Sequence, residues 1–134
     1  MTEIATSLAD WPYAWAYFFP VMLLSIAIGT FTPAAHSILE QGGFPQPRHQ
    51  PLNVYVYLFA GCQSAVGLSV AVLEALGDWK AVGVILGCLT PMALLSTSLS
   101  AVKGGTGLGS AFWTHGVMTV IGTRAAWRLV QEHW

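Results

Sequence analysis

Four long stretches of this chain carry no charge. No Asp, Glu, Lys or Arg occurs from Trp11 to Leu39, from His49 to Leu73, from Ala81 to Val102, or from Gly104 to Thr123. Each stretch meets the roughly 20 residues that a helix needs to cross a hydrocarbon core. Hydrophobic residues make up 54% of the 134 residues and charged residues 8%, against about 25% charged in ordinary soluble domains. So few charges cannot clothe a soluble fold, and apolar helices in a soluble bundle would each carry a polar stripe. The expected architecture is all-α, a four-helix transmembrane bundle, with residues 1–134 as one integral membrane domain. Its spans are expected at about 12–35, 53–76, 79–101 and 110–131.

Local signals set the joints. An aromatic run from Trp11 through Tyr13, Trp15, Tyr17, Phe18 and Phe19 suits the headgroup layer, where amphipathic rings collect. Pro20 lies inside the first span, where a kink is tolerated. Thr32-Pro33 predicts a break and restart, with Thr32 as N-cap, and a short helix through His36 and Glu40 ends at Gly42-Gly43. Residues 42–52 form an extended, proline-bearing loop. The second helix runs from Asn53, and Gly77-Asp78 turns the chain into the third. A glycine-rich loop from Gly104 to Gly109 precedes the fourth. That loop shares only its glycines with a phosphate loop, because no Gly-Lys-Ser/Thr follows in register.

Composition excludes several classes. The formal net charge is −1 with no basic patch, so nucleic acid is not an expected partner. His36, His49, His115 and His133 show no H-x-x-x-H or H-E-x-x-H spacing, so no metal and no other cofactor is expected. There is no G-x-S-x-G to support a serine hydrolase. Cys62 and Cys88 lack a C-x-x-C arrangement and are expected to be buried thiols. The first apolar segment has no basic n-region before it and is expected to be retained as a span. With four spans, both termini share a side with Lys80, Arg124 and Arg128, opposite Arg48 and Lys103. This places the termini in the cytoplasm by one charge.

Polar groups inside apolar spans pack, pair or act. His36 and Glu40 stand four residues apart, close enough on a helix to meet. A carboxylate orienting an imidazole suits a general base, although a pair finishing a helix end near water fits the same spacing. His115 lies inside the fourth span with Thr119, Gly122 and Thr123 on one stripe and Trp113 nearby. It is expected to face the bundle interior. Gln63, Tyr55 and Tyr57 of the second helix are candidate donors to a ligand, with Gln63 equally suited to bridging helices. Gly83-Val-Ile-Leu-Gly87 is a close-packing G-x-x-x-G. The hydroxyls from Ser96 to Ser100 can bond their own helix, and Glu74, near a helix end, can be solvated.

The order of Gly29 to Pro33, the Gly43-Phe44-Pro45 loop, a small-residue second helix and His115 after a glycine-rich loop resembles a group of small four-span membrane proteins. These are distantly similar to DoxX-like proteins. Members often carry an Arg in the second helix and an acidic residue late in the third. Here those places hold Gln63 and the run from Ser96 to Ser100. Some relatives resemble membrane-bound hydrolases or cyclases that open epoxides on lipophilic polyketides. The resemblance implies an acid–base enzyme of secondary-metabolite biosynthesis, opening an epoxide or isomerising a lipophilic intermediate. His115, His36 and Glu40 would then be catalytic, and Gln63, Tyr55, Tyr57, Thr119 and Trp113 would bind substrate. The other class is a non-catalytic lipid, quinone or metabolite-binding subunit. A catalyst predicts that His115 and the His36–Glu40 pair converge on one cavity. A binder predicts an apolar pocket whose histidines are each satisfied by backbone or Thr. Four spans with few charges make a poor pore without homo-oligomerisation.

Overall fold

The computed structural model describes residues 10–105 and 107–134. Its described residues are all-helical: α1 (Trp11–Gly29), α2 (Ala35–Gln41), α3 (Val54–Ala75), α4 (Trp79–Cys88), α5 (Thr90–Val102) and α6 (Ser110–His133). Three helical segments are long and apolar enough to cross a membrane, Trp11–Gly29, Val54–Ala75 and the joined Trp79–Val102, consistent with an integral membrane protein. The fourth long helix, α6, is less apolar and carries Arg124, Arg128 and Glu132 in its last turns.

The ends of these helices follow from local chemistry. α1 stops at Gly29, earlier than the expected span limit at residue 35, because Pro33 has no N–H to offer the Gly29 carbonyl. Thr32 serves that carbonyl instead, donating its backbone N–H at 3.1 Å and its hydroxyl at 2.7 Å. The Thr32 hydroxyl also accepts the Ala34 N–H at 3.2 Å. The break expected at Thr32-Pro33 thus separates α1 from α2. Asn53 caps α3 by accepting the Tyr55 N–H at 3.0 Å, and Asp78 caps α4 by accepting the Ala81 N–H at 3.0 Å. The third span is broken at Leu89, because Pro91 leaves the Gly87 carbonyl without its helical donor.

The helices meet most closely at the end where α1 and α4 begin and α6 finishes. Ala16, Val70, Val82, Leu86, Ala126 and Leu129, drawn from α1, α3, α4 and α6, form the buried cluster there. Its small residues let backbones approach, as membrane helices require. A Cβ on Gly83 would lie 3.0–3.2 Å from Val130 and Leu129 of α6, whereas one on Gly87 would meet nothing closer than Ala126 at 3.9 Å, so of the G-x-x-x-G only Gly83 packs closely. Tyr13 meets Trp79 edge-on at 4.9 Å, and the Tyr13 hydroxyl donates to Glu132 at 3.0 Å. Lys80 sits 3.8 Å over the Trp134 ring. The described start of α1, the 77–80 turn and the end of α6 thus share one end of the molecule.

The outside is apolar. Tyr17, Phe18, Val21, Ile28, Leu58, Leu68, Leu94 and Val120 are all exposed, a surface suited to acyl chains and not to water. Cys62 and Cys88 belong to it as well, which corrects the expectation of buried thiols. A small apolar side chain gains as much facing lipid as facing the core, so its chemistry does not choose between them.

Candidate functional site

The site is built where α6 carries its polar stripe past the break between α4 and α5. Residues 115, 118, 119, 122 and 123 recur at helical spacing and turn one side of α6 toward α1, α4 and α5. His115, Met118, Thr119, Gly122 and Thr123 there line a cavity of about 140 Å³. α1 contributes Trp15, Phe19 and Met22, at i, i+4 and i+7. The broken span contributes Leu86, Leu89, Thr90 and Ala93 from the two sides of its joint. An interrupted helix beside a cavity is a recurrent way for membrane proteins to place polar backbone next to a ligand.

His115 is half-buried, and its Nε2 lies 2.9 Å from the Gly42 carbonyl oxygen. A carbonyl only accepts, so Nε2 carries the proton and donates it; in the neutral ring Nδ1 is then the unprotonated nitrogen. The contact is held by backbone close to its limit. Gly43 has φ +80, and a Cβ there would come within 2.9 Å of both Ser100 and Ala111. Only glycine accepts both the conformation and the space. A Cβ on Gly104 would collide with the Gly43 carbonyl, so this position too has room only for glycine. This seating presses the loop after α2 onto the start of α6 and leaves Gly42 facing the imidazole, with Phe44 6.2 Å from the ring.

The hydroxyls around the cavity are mostly spoken for. Thr119 donates to the His115 carbonyl at 2.7 Å, and Thr97 to Ala93 at 2.8 Å. Ser64, Ser69 and Ser98 likewise bond the preceding turn of their own helices, the role expected for such hydroxyls. Thr90 and Thr123 bond each other across helices at 3.1 Å. The Trp15 indole is different. Its Nε1 is buried with no hydrogen-bond partner among the described residues. Grouping Trp15 with the interfacial aromatic run hid this role; its spacing with Phe19 and Met22 was the available signal.

The other expected site residues lie elsewhere. His36 donates from Nε2 to the Pro47 carbonyl at 3.2 Å, and Glu40 is ion-paired with Arg48 on the surface. The i, i+4 neighbours on α2 thus each take a partner from the following loop. His36 and Tyr57 line a second, rim-exposed hollow of about 360 Å³ with Thr30, Phe31, Pro33 and Leu52. Tyr55 is 72% exposed at the start of α3. Gln63 is half-buried with no hydrogen bond among the described residues. Trp113 is 62% exposed, since two residues before His115 on a helix is roughly the opposite side. The structure therefore unites His115 and Thr119 at one cavity and leaves His36, Glu40 and the α3 donors away from it. Glu74, expected to be solvated, is half-buried, and its Oε1 is buried without a partner among the described residues.

No group of three or more His, Cys, Asp and Glu side chains suited to a metal ion occurs among the described residues. Compared with protein-family models, with curated proteins and with solved structures, this chain finds no match.

Proposed function

We propose that this is a four-span integral membrane protein that holds a lipophilic small molecule without transforming it. The spans are α1, α3, the broken α4–α5 and α6, in a four-helix bundle with both termini cytoplasmic. α6 is tolerated as a span because its polar stripe is turned to the other helices and its charges gather in its last turns, within reach of the interface. The cavity between α1, α6 and the α4–α5 break is the binding place.

One observation carries this reading. Each of the two candidate catalytic imidazoles is engaged by a backbone carbonyl, His115 by Gly42 and His36 by Pro47, and the two line separate cavities. Epoxide opening needs an acid at the oxygen and a base for the attacking group, both within reach of one substrate. Glu40, tied to Arg48 at the surface, supplies neither to the His115 cavity.

The test is mass spectrometry of apolar compounds extracted from detergent-purified protein. Wild type is expected to carry one compound in near-stoichiometric amount, and Ala93→Phe, which fills the cavity, to lose it while keeping its melting temperature. A compound retained equally by Ala93→Phe would sink the assignment. So would turnover of styrene oxide that disappears in His115→Ala, which would restore the acid–base enzyme.

A further inference from the structure

The geometry points to a hydrogen-bond-accepting oxygen on the ligand, carried by a group about the size of one six-membered ring and received by the Trp15 indole N–H. This rests on the binding role proposed above and names what the cavity selects.

Size comes first. A ligand pocket usually offers about 300–1,000 Å³, and this one offers about 140 Å³. Cavities of about 150 Å³ lined by apolar side chains take up a benzene ring. The occupant is therefore a small molecule, or the head of a longer one whose tail leaves beside exposed Thr123 toward lipid.

Polarity comes second. The polar groups lining the space are His115, Thr119, the Thr90–Thr123 pair and Trp15. His115 Nε2–H is given to Gly42 and the Thr119 proton to the His115 carbonyl. In the threonine pair one hydroxyl proton is used in the pair itself. The second proton of the pair sits on a hydroxyl that already has a partner, whereas Trp15 Nε1–H is buried and unpartnered among the described residues, and an indole nitrogen can only donate. Leaving such a group buried and unmet is costly, so a partner that only accepts is the complement. A carbonyl, ether or quinone oxygen has that chemistry. Gly122 packs against that edge of the indole, and a Cβ there would stand 3.3 Å from Nε1 and 3.6 Å from the ring.

Acetophenone and ethylbenzene test this, because they share a shape and differ in the carbonyl. Binding is read from the ¹H–¹⁵N indole resonance of Trp15 in detergent-solubilised protein, with each probe corrected for its partition into micelles. Wild type is expected to bind acetophenone about 3- to 10-fold more tightly, the span of one net neutral hydrogen bond, with a downfield shift of the Trp15 N–H that ethylbenzene does not cause. Trp15→Phe is expected to bind both equally. Gly122→Ala keeps the indole but crowds its N–H, and is expected to lose the preference too, which covers the case in which Trp15→Phe fails to fold. Equal binding of the two probes by wild type would overturn the proposed acceptor and leave the binding role standing. Binding of neither by protein stripped of its co-purified compound would overturn both.

Discussion

The imidazole of His115 donates from Nε2 to the carbonyl of Gly42, 73 positions earlier in the chain. That single bond ties the start of the polar stripe on α6 to the end of the short helix α2, and it fixes the tautomer of the ring. His115 is thus a strut as well as a cavity wall.

Replacing His115 with Ala is expected to lower stability by about 1–3 kcal/mol, because the Gly42 carbonyl is left half-buried and unmet. Thermal unfolding in detergent measures the loss. The ¹⁵N spectrum of the neutral ring is expected to show the Nε2–H tautomer, and a dominant Nδ1–H form would contradict the contact.

Two glycines four residues apart on α4 are expected to respond differently. At Gly83 an added Cβ presses on the Val130 backbone nitrogen and on Leu129, so Gly83→Val is expected to cost about 1–3 kcal/mol as overpacking. At Gly87 the nearest atom is Ala126 Cβ at 3.9 Å, which is ordinary contact. Gly87→Ala is expected to be neutral or to stabilise by up to about 1 kcal/mol through helix propensity. Equal losses at both positions would argue against the α4–α6 register.

Cys62 and Cys88 are exposed on the protein, yet in a bilayer their surroundings are acyl chains. A charged reagent is excluded from that layer by the cost of leaving water. A charged methanethiosulfonate reagent is expected to leave both unmodified in intact vesicles and to modify both after denaturation. Rapid labelling in vesicles would place these faces in water and remove the membrane reading of α3 and α4.

Glu132 stands in the last turn of α6. Its carboxyl is held below the usual range, first by the hydrogen bonds from Arg128, at 2.8 Å and 3.3 Å, and then by that from Tyr13. A depressed carboxyl is more ionised in the folded state, so its contribution is complete above its unfolded value and fades as pH falls through the folded one. Wild type is expected to lose stability below about pH 4 more steeply than Glu132→Gln. Parallel acid-unfolding curves would show that the contacts have no net effect at this exposed site.

Much of the fold is legible from side chains that act on their own backbone. Asn53 and Asp78 start α3 and α4 wherever the rest of the chain goes, because a side-chain oxygen on the first free N–H needs no distant partner. Thr32 and Pro33 break the first span for the same local reason. Pro91 was equally available as a breaker of the third span, since a residue without an N–H interrupts a helix in any setting.

What local chemistry left open is which way each helix faces. In water a helix declares its buried side through the contrast between apolar and polar positions. Here α1, α3 and α4–α5 are apolar all round, because lipid and core accept the same side chains. With that contrast gone, residue type could not place Cys62 and Cys88 outside, Trp15 inside, or His36 and His115 in separate cavities. Packing decided those positions. Gly43 and Gly83 let backbones come close enough to fix the rotation of each helix, and the rotation chose which polar groups meet.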